Sequence, residues 1–112
     1  MGLARPIVQT ATIANAASLS DVVEVGEGVV VGFLVPTFTA AVITFQGSDD
    51  GVTFKDLKDA AAAEVSIASS VGDVYFAAPA GLNSAAFIKV RSGTSAAPVA
   101  QGGQRLIKVV IK

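Results

Sequence analysis

Apolar and polar residues alternate along much of the chain in short runs, and a period of two predicts β-strands. The clearest case is residues 42–46, where Ile43 and Phe45 fall on one face. A polar turn follows at residues 48–51, and residues 52–57 then alternate again. Asp and Gly are residues that turns favour, so this central stretch predicts a β-hairpin.

The same alternation predicts further strands at residues 7–14, 22–25, 29–35, 64–68, 74–78, 86–92 and 105–112. Residues 29–35 are apolar on both faces, which predicts a central strand covered on both sides, with Gly32 at a bulge or a close backbone approach. Four alanines at residues 60–63 favour one helical turn. About eight short strands with frequent turns predict an all-β fold, an antiparallel β-sandwich or jelly roll.

A chain of 112 residues predicts one domain. We expect residues 1–9 to form a flexible N-terminal arm and residues 10–112 to form a single β-sandwich domain. Residues 93–104 predict a long loop of small residues, and loops of this length in compact domains are often functional.

The composition favours a subunit of an assembly. Apolar residues make up 52% of the chain and charged residues only 15%, whereas soluble proteins average about 25% charged residues. Little charge is therefore left to cover the surface, and apolar residues must be buried in the domain or against a partner.

The net charge of −1 gives no electrostatic footprint for nucleic acid. Arg105, Lys108 and Lys112 form either a weak basic patch or, as we expect, a set of solvated lysines at a strand edge. Because no apolar run approaches the ~18 residues of a membrane span, no membrane partner is expected.

The chain contains no His and no Cys, which removes the commonest general base, the thiolate nucleophile and the preferred transition-metal ligands. We expect no catalytic, cofactor-binding or metal-binding residues, and no enzyme. Ser48, Asp49 and Asp50 would suit a calcium loop or a carboxylate pair, but turn chemistry explains each of them. Gly102 and Gly103 precede a strand instead of a helix, so a phosphate-binding loop is not expected.

Two other groups of residues raise alternatives. Ser92 with Lys89 could form a nucleophile and base, but Lys89 is expected to be exposed, and a lysine base must be desolvated. The aromatic residues Tyr75, Phe76 and Phe87 could form a sugar-stacking platform, although core or sheet packing explains them better.

The chain resembles a group of small all-β proteins encoded among the virion genes of tailed bacteriophages. The resemblance spans nearly the whole chain and is most specific in its last stretch. It rests on residues 10–15 (TATIAN), residues 19–21 (LSD), residues 43–51 (ITFQGSDDG) with Phe54, Asp56 and Leu57, and residues 88–102 (IKVRSGTSAAPVAQG).

The resemblance implies a non-enzymatic structural protein of the virion, present in the host cytoplasm during assembly. It most favours a capsid decoration (cement) protein that binds the major capsid protein as a homo-oligomer, with a trimer preferred. A head–tail connector or tail component is the alternative within the virion, and a carbohydrate-binding β-sandwich is the alternative outside it. We expect residues 1–14 and 93–104 to form contacts between subunits.

Overall fold

The computed structural model describes residues 7–112, apart from the side chain of residue 83. Within them lie nine strands, one more than the expected eight or so, and a short 3₁₀ helix at Leu82–Ser84 in a predicted loop. The strands are β1 Ile7–Ile13, β2 Val23–Glu24, β3 Val30–Val35, β4 Ala41–Ser48, β5 Lys55–Asp56, β6 Ser66–Ser70, β7 Val74–Ala77, β8 Phe87–Ser92 and β9 Arg105–Ile111. The all-β prediction is confirmed.

The strands form two antiparallel sheets. Sheet I has the order β1-β9-β3-β7, and sheet II has the order β2-β8-β4-β5, with β6 also paired to β4. The pairing is nested: β1 pairs with β9, β2 with β8, β3 with β7, and β4 with both β5 and β6. Nested antiparallel pairs folded into two sheets make a jelly roll, so the predicted sandwich architecture is confirmed.

The core lies between the inner faces of the two sheets. β9 shows the alternation clearly, because Ile107, Val109 and Ile111 are buried while Lys108 is half-buried and Lys112 is exposed. Near the centre, Phe33 of β3 meets Phe45 of β4, with ring centroids 5.3 Å apart and ring planes 31° apart. This aromatic contact joins the sheets and adds to the stabilisation from burial.

The connection between β1 and β2 also joins the sheets, through hydrogen bonds. The Ser20 N–H donates to the Val90 carbonyl in sheet II, and Ser20 Oγ accepts from the Val90 N–H. Its neighbour Asp21 bonds both backbone groups of Thr12 in sheet I, at 2.9 and 3.1 Å. Two successive residues therefore fix the spacing of the two sheets at this end of the sandwich.

The predicted hairpin is confirmed, since β4 and β5 pair through Gln46 with Asp56 and Gly47 with Lys55. Its second strand is much shorter than predicted. The bulge expected at Gly32 is also confirmed, because the register between β3 and β9 shifts between Val30 and Gly32. A Cβ at Gly32 would lie 3.2 Å from the Phe76 carbonyl oxygen, so the close approach is present as well.

Three expectations need correction. Residues 60–63 do not form a helical turn, because the Asp59 carboxylate accepts hydrogen bonds from the Ala61 and Ala63 N–H groups and Ala62 has a φ of 66°. β3 is interior to its sheet, but Val31 is exposed, so only one face is fully covered. Residues 7–9 of the predicted arm pair with β9, and the rest of that arm, residues 1–6, lies outside the described residues.

The Phe33–Phe45 contact gives a test of the core. Phe45→Ala removes a fully buried ring between the sheets, and we expect it to lower the free energy of unfolding by about 3 to 5 kcal/mol. Urea denaturation followed by circular dichroism measures this. The control is Val52→Ala at the hairpin turn, where the side chain is 82% exposed, and a change within about 0.5 kcal/mol is expected. Equal losses in the two variants would contradict the proposed core.

Candidate interaction surface

The hairpin carboxylates serve the turn. Asp50 Oδ1 accepts hydrogen bonds from the N–H groups of Val52 and Thr53 at 2.8 and 2.9 Å, and from Ser48 Oγ at 2.9 Å. The Thr53 and Val52 N–H groups, followed by Ser48, hold the pKa of Asp50 below its ordinary value. Among residues 7–112, no group of three or more acidic residues is placed to hold a metal ion. The turn therefore explains this motif.

The structure does not bring together the suggested nucleophile and base. Ser92 is buried, and its Oγ accepts a hydrogen bond from Gln101 Nε2 at 2.7 Å. Lys89 lies on the other side of sheet II, with Nζ 4.7 Å from the centre of the Phe54 ring. The contact with Phe54 is a cation–π interaction.

The three aromatic residues also lie apart. Tyr75 and Phe76 are neighbours on β7, so they point to opposite faces of sheet I, and Phe76 packs against the core. Phe87 belongs to β8 in sheet II, beside the backbone of Gly51. No shared platform is formed by these rings.

The C-terminal basic residues do not lie at a strand edge, because β9 sits between β1 and β3 in the interior of sheet I. Lys108 Nζ contacts Thr10 Oγ1 at 3.3 Å, and Arg105 Nε donates to Gln101 Oε1 at 3.1 Å. The prediction that these residues lie at a strand edge was wrong. Local alternation identifies the last strand but does not show that it pairs with the first.

Sequence reasoning missed a cluster of ion pairs around one buried arginine on the outer face of sheet II. Arg91, expected to be solvated like Lys89, is only 6% exposed. Its guanidinium contacts Asp56 at 2.9 Å and Glu64 at 2.8 Å, and its Nε donates to Thr44 Oγ1 at 2.9 Å. The signal in the sequence was limited to the two acidic residues, Asp56 in the second strand of the hairpin and Glu64 in the segment after it.

The cluster also holds the loop that follows β8. Ser95 Oγ donates to Asp56 at 2.7 Å, and the Ser95 N–H donates to Glu64 at 3.2 Å. Further along, Gln101 is buried and exchanges hydrogen bonds with the backbone of Thr39. The predicted contact loop, residues 93–104, is therefore fixed at both ends by its own chain, and residues 95–98 form its exposed tip.

The outer face of sheet I differs from that of sheet II. Among the described residues, no loop is held over it by hydrogen bonds as the loop after β8 is held over Arg91. Two rows of paired residues cross it, Val8–Val110–Gly32–Ala77 and Thr10–Lys108–Leu34–Tyr75. Tyr75 is 68% and Val8 58% exposed. We call these two rows, together with Leu106 and Thr12, the outer face of sheet I.

Within the two rows, the charged side chain is Lys108, and the Asp21 carboxylate lies at the edge of the face, where it accepts a hydrogen bond from the Thr12 N–H. The four strands of sheet I contain Arg105 and Lys108 but no acidic residue. An apolar surface with a little positive charge and no acidic residue in its strands suits a protein partner with apolar and acidic groups. Two shallow cavities, of about 380 and 280 Å³, lie elsewhere, at the hairpin and beside residues 78–81.

No protein-family model matches the chain, and no curated protein gives a significant match. Among solved structures, the fold is similar to that of the SPBc2 prophage-derived protein YomS. The TM-score is 0.55, and the match covers 100% of this chain and 99% of that one. Since the two sequences are 15% identical, the likeness concerns the fold. In addition, no helix among residues 7–112 is long and apolar enough to cross a membrane.

The Arg91 cluster predicts a large effect of one substitution. Arg91→Met removes the cation between Asp56 and Glu64, and we expect a loss of about 3 kcal/mol in unfolding free energy because two carboxylates remain side by side. Lys89→Met, on the same strand, is the matched control and should cost less than about 1 kcal/mol. Chemical denaturation compares the two, and a smaller loss for Arg91→Met would contradict the cluster's role.

The same cluster predicts a pH dependence. Hydrogen bonds from Ser95 and then Arg91 hold the pKa of Asp56 below its ordinary value of 3.8. A lowered native pKa stabilises the fold above the unfolded value, and this stability is lost as pH falls through the native value. The difference in Tm between the wild type and Asp56→Asn should therefore be largest near neutral pH and shrink below about pH 4. A difference that stays constant down to pH 2 would contradict this account.

Proposed function

We propose that this protein is a structural component of a tailed-bacteriophage particle, and within it a capsid decoration protein. It binds the lattice of the major capsid protein after assembly and stabilises it by mass action, because it binds the assembled lattice and not the separate subunits. The role is non-enzymatic and needs no cofactor.

Two observations at the level of the fold support an origin in a phage. The jelly roll is an architecture that viral capsid domains use, and the similar solved structure is described as a prophage-derived protein. The resemblance to small virion proteins of residues 10–15, 19–21, 43–51 (with Phe54, Asp56 and Leu57) and 88–102 points the same way.

The observation that carries the binding role is the difference between the two outer faces. Sheet II is covered over Arg91 and Thr44 by the chain's own loops, which bury both residues. Sheet I leaves Val8, Leu106 and Tyr75 exposed, without an acidic residue in its strands. Burial of such an exposed apolar face against a partner is favourable, because it removes apolar surface from water.

The proposal includes a homo-oligomer, with a trimer preferred, and contacts between subunits from residues 1–14 and 93–104. Residues 95–98 are exposed at the tip of their loop and so are accessible to a neighbour. Ile7, Val8 and Gln9 pair with β9, so a deletion of residues 1–9 would remove part of sheet I together with the expected arm.

Other locations give different outcomes. A head–tail connector or tail component would be present in few copies per particle, whereas a decoration protein is present in many, and quantitative mass spectrometry of virions separates the two. A carbohydrate-binding module would give a signal on a glycan array. Exposed Tyr75 is the aromatic residue best placed for that role among residues 7–112, and it has no second ring on its face of β7.

Capsid binding tests the assigned face. Leu106→Glu places a negative charge in the outer face of sheet I, and we expect it to weaken co-sedimentation with purified expanded capsids by about tenfold or more, equivalent to about 1.4 kcal/mol. Val52→Glu at the hairpin turn is the control and should bind as the wild type does. If both variants decorate capsids equally, the outer face of sheet I is not the binding surface.

A further inference from the structure

Sheet I has two uncharged edge strands, seven and four residues long. β7 is one edge and β1 is the other, and neither strand contains a charged residue. Natural proteins usually protect an edge strand with charge, proline, a bulge or a very short length. Sheet II has such protection, because β2 and β5 are two residues long and β6 pairs with β4 across a register shift.

The backbone groups of β7 that point away from β3 have no partner strand among residues 7–112. The Ala78 N–H donates to the Val31 carbonyl at 3.1 Å, next to the pair Phe33–Phe76. Because antiparallel residues alternate between bonding inward and outward, Tyr75 and Ala77 direct their N–H and C=O groups outward.

On β1, outward backbone groups without a partner strand are found in only one half of the strand. Asp21 occupies both outward backbone groups of Thr12. By the same alternation, Thr10 and Val8 also direct their backbone groups outward, and there the described residues provide no partner strand. The open part of β1, residues 7–10, is as long as β7.

The two open segments lie level with each other across the sheet. Val8 is in the same row as Ala77, and Thr10 is in the same row as Tyr75. The four strands alternate in direction, so β1 and β7 are antiparallel. A second copy placed beside the first in the same orientation therefore brings its β1 antiparallel to β7, with the outward-bonding residues opposite each other and the outer faces continuous.

We propose that the protein associates head to tail with a second copy of itself by pairing β7 of one subunit with residues 7–10 of β1 of the next, Val8 opposite Ala77 and Thr10 opposite Tyr75. This contact uses two different patches on each chain, so it closes into a ring or continues as an open chain. The inference concerns self-association and does not depend on capsid binding, which the co-sedimentation experiment tests separately.

Because the chain contains no cysteine, engineered thiols test this register directly. Val8→Cys and Ala77→Cys both change exposed side chains. Within one subunit these positions are three strand spacings apart, about 14 Å, which is beyond the ~7 Å limit for a disulfide between Cα atoms. Any disulfide is therefore formed between subunits.

We expect an equimolar mixture of the two single variants to give, under oxidation, a linked dimer containing one chain of each kind. Either variant alone should give at least about tenfold less, and a chain with both changes should give a ladder or a closed ring. Mass spectrometry identifies the products, and thermal melts matching the wild type show that the variants fold.

Two results would overturn the proposal. One is a mixture that links no more than the single variants do. The other is Ala77→Cys linking to itself as efficiently as to Val8→Cys, which would indicate a two-fold contact between β7 strands. A matched pair at exposed positions outside the edges and outside the proposed contact segments, Val52→Cys with Ala61→Cys, measures linking by random collision.

Discussion

The fold depends on where the last strand goes. β9 pairs with β1 along seven residues and with β3 on its other side, so sheet I is complete only when the C-terminal strand has inserted between two strands from the first third of the chain. In each of the other nested pairs, fewer residues separate the two strands along the chain, and the innermost pair, β4 with β5, is a local hairpin. The loop-closure entropy of the outer pairs must be recovered by burial between the sheets, where Phe33 meets Phe45.

The long connections are held by a few polar side chains with several hydrogen bonds each. Ser20 and Asp21 bond one strand of each sheet, Gln101 bonds Thr39 and Ser92, and Arg91 bonds Thr44 and two carboxylates. No buried side-chain polar atom among residues 7–112 lacks a hydrogen-bond partner. Such satisfied interior groups cost little to bury and allow few alternative loop positions, so they select one arrangement of the connections.

The sequence was sufficient to predict the local features of the fold, which depend on residues close together along the chain. Alternation located the strands, Gly32 indicated the bulge, and the Asp-Gly turn indicated the hairpin between β4 and β5. It failed where the answer depended on residues distant along the chain. Arg91 looked the same as Lys89 in the pattern of β8, and only the fold brings Asp56 and Glu64 over it. Lys108 looked like an edge residue because β1, nearly a hundred positions earlier, was not visible as its neighbour. At residues 60–63 the Asp59 carboxylate accepts hydrogen bonds from the backbone, and these bonds stabilise a turn in place of the helix that alanine favours.

The two sheets differ in how their edges and outer faces are protected, and the proposed contacts follow from this difference. Sheet II has short or irregular edges, and a salt-bridged cluster under its own loops covers part of its outer face. Sheet I has uncharged edges and an exposed apolar face, and an isolated chain would leave both in water. Edge pairing between copies would extend the outer face of sheet I across subunits without covering it, because the rows of Val8 and Tyr75 continue from one sheet into the next. The two proposed contacts would therefore use different parts of sheet I, and self-association would enlarge the apolar area available for binding to a larger lattice.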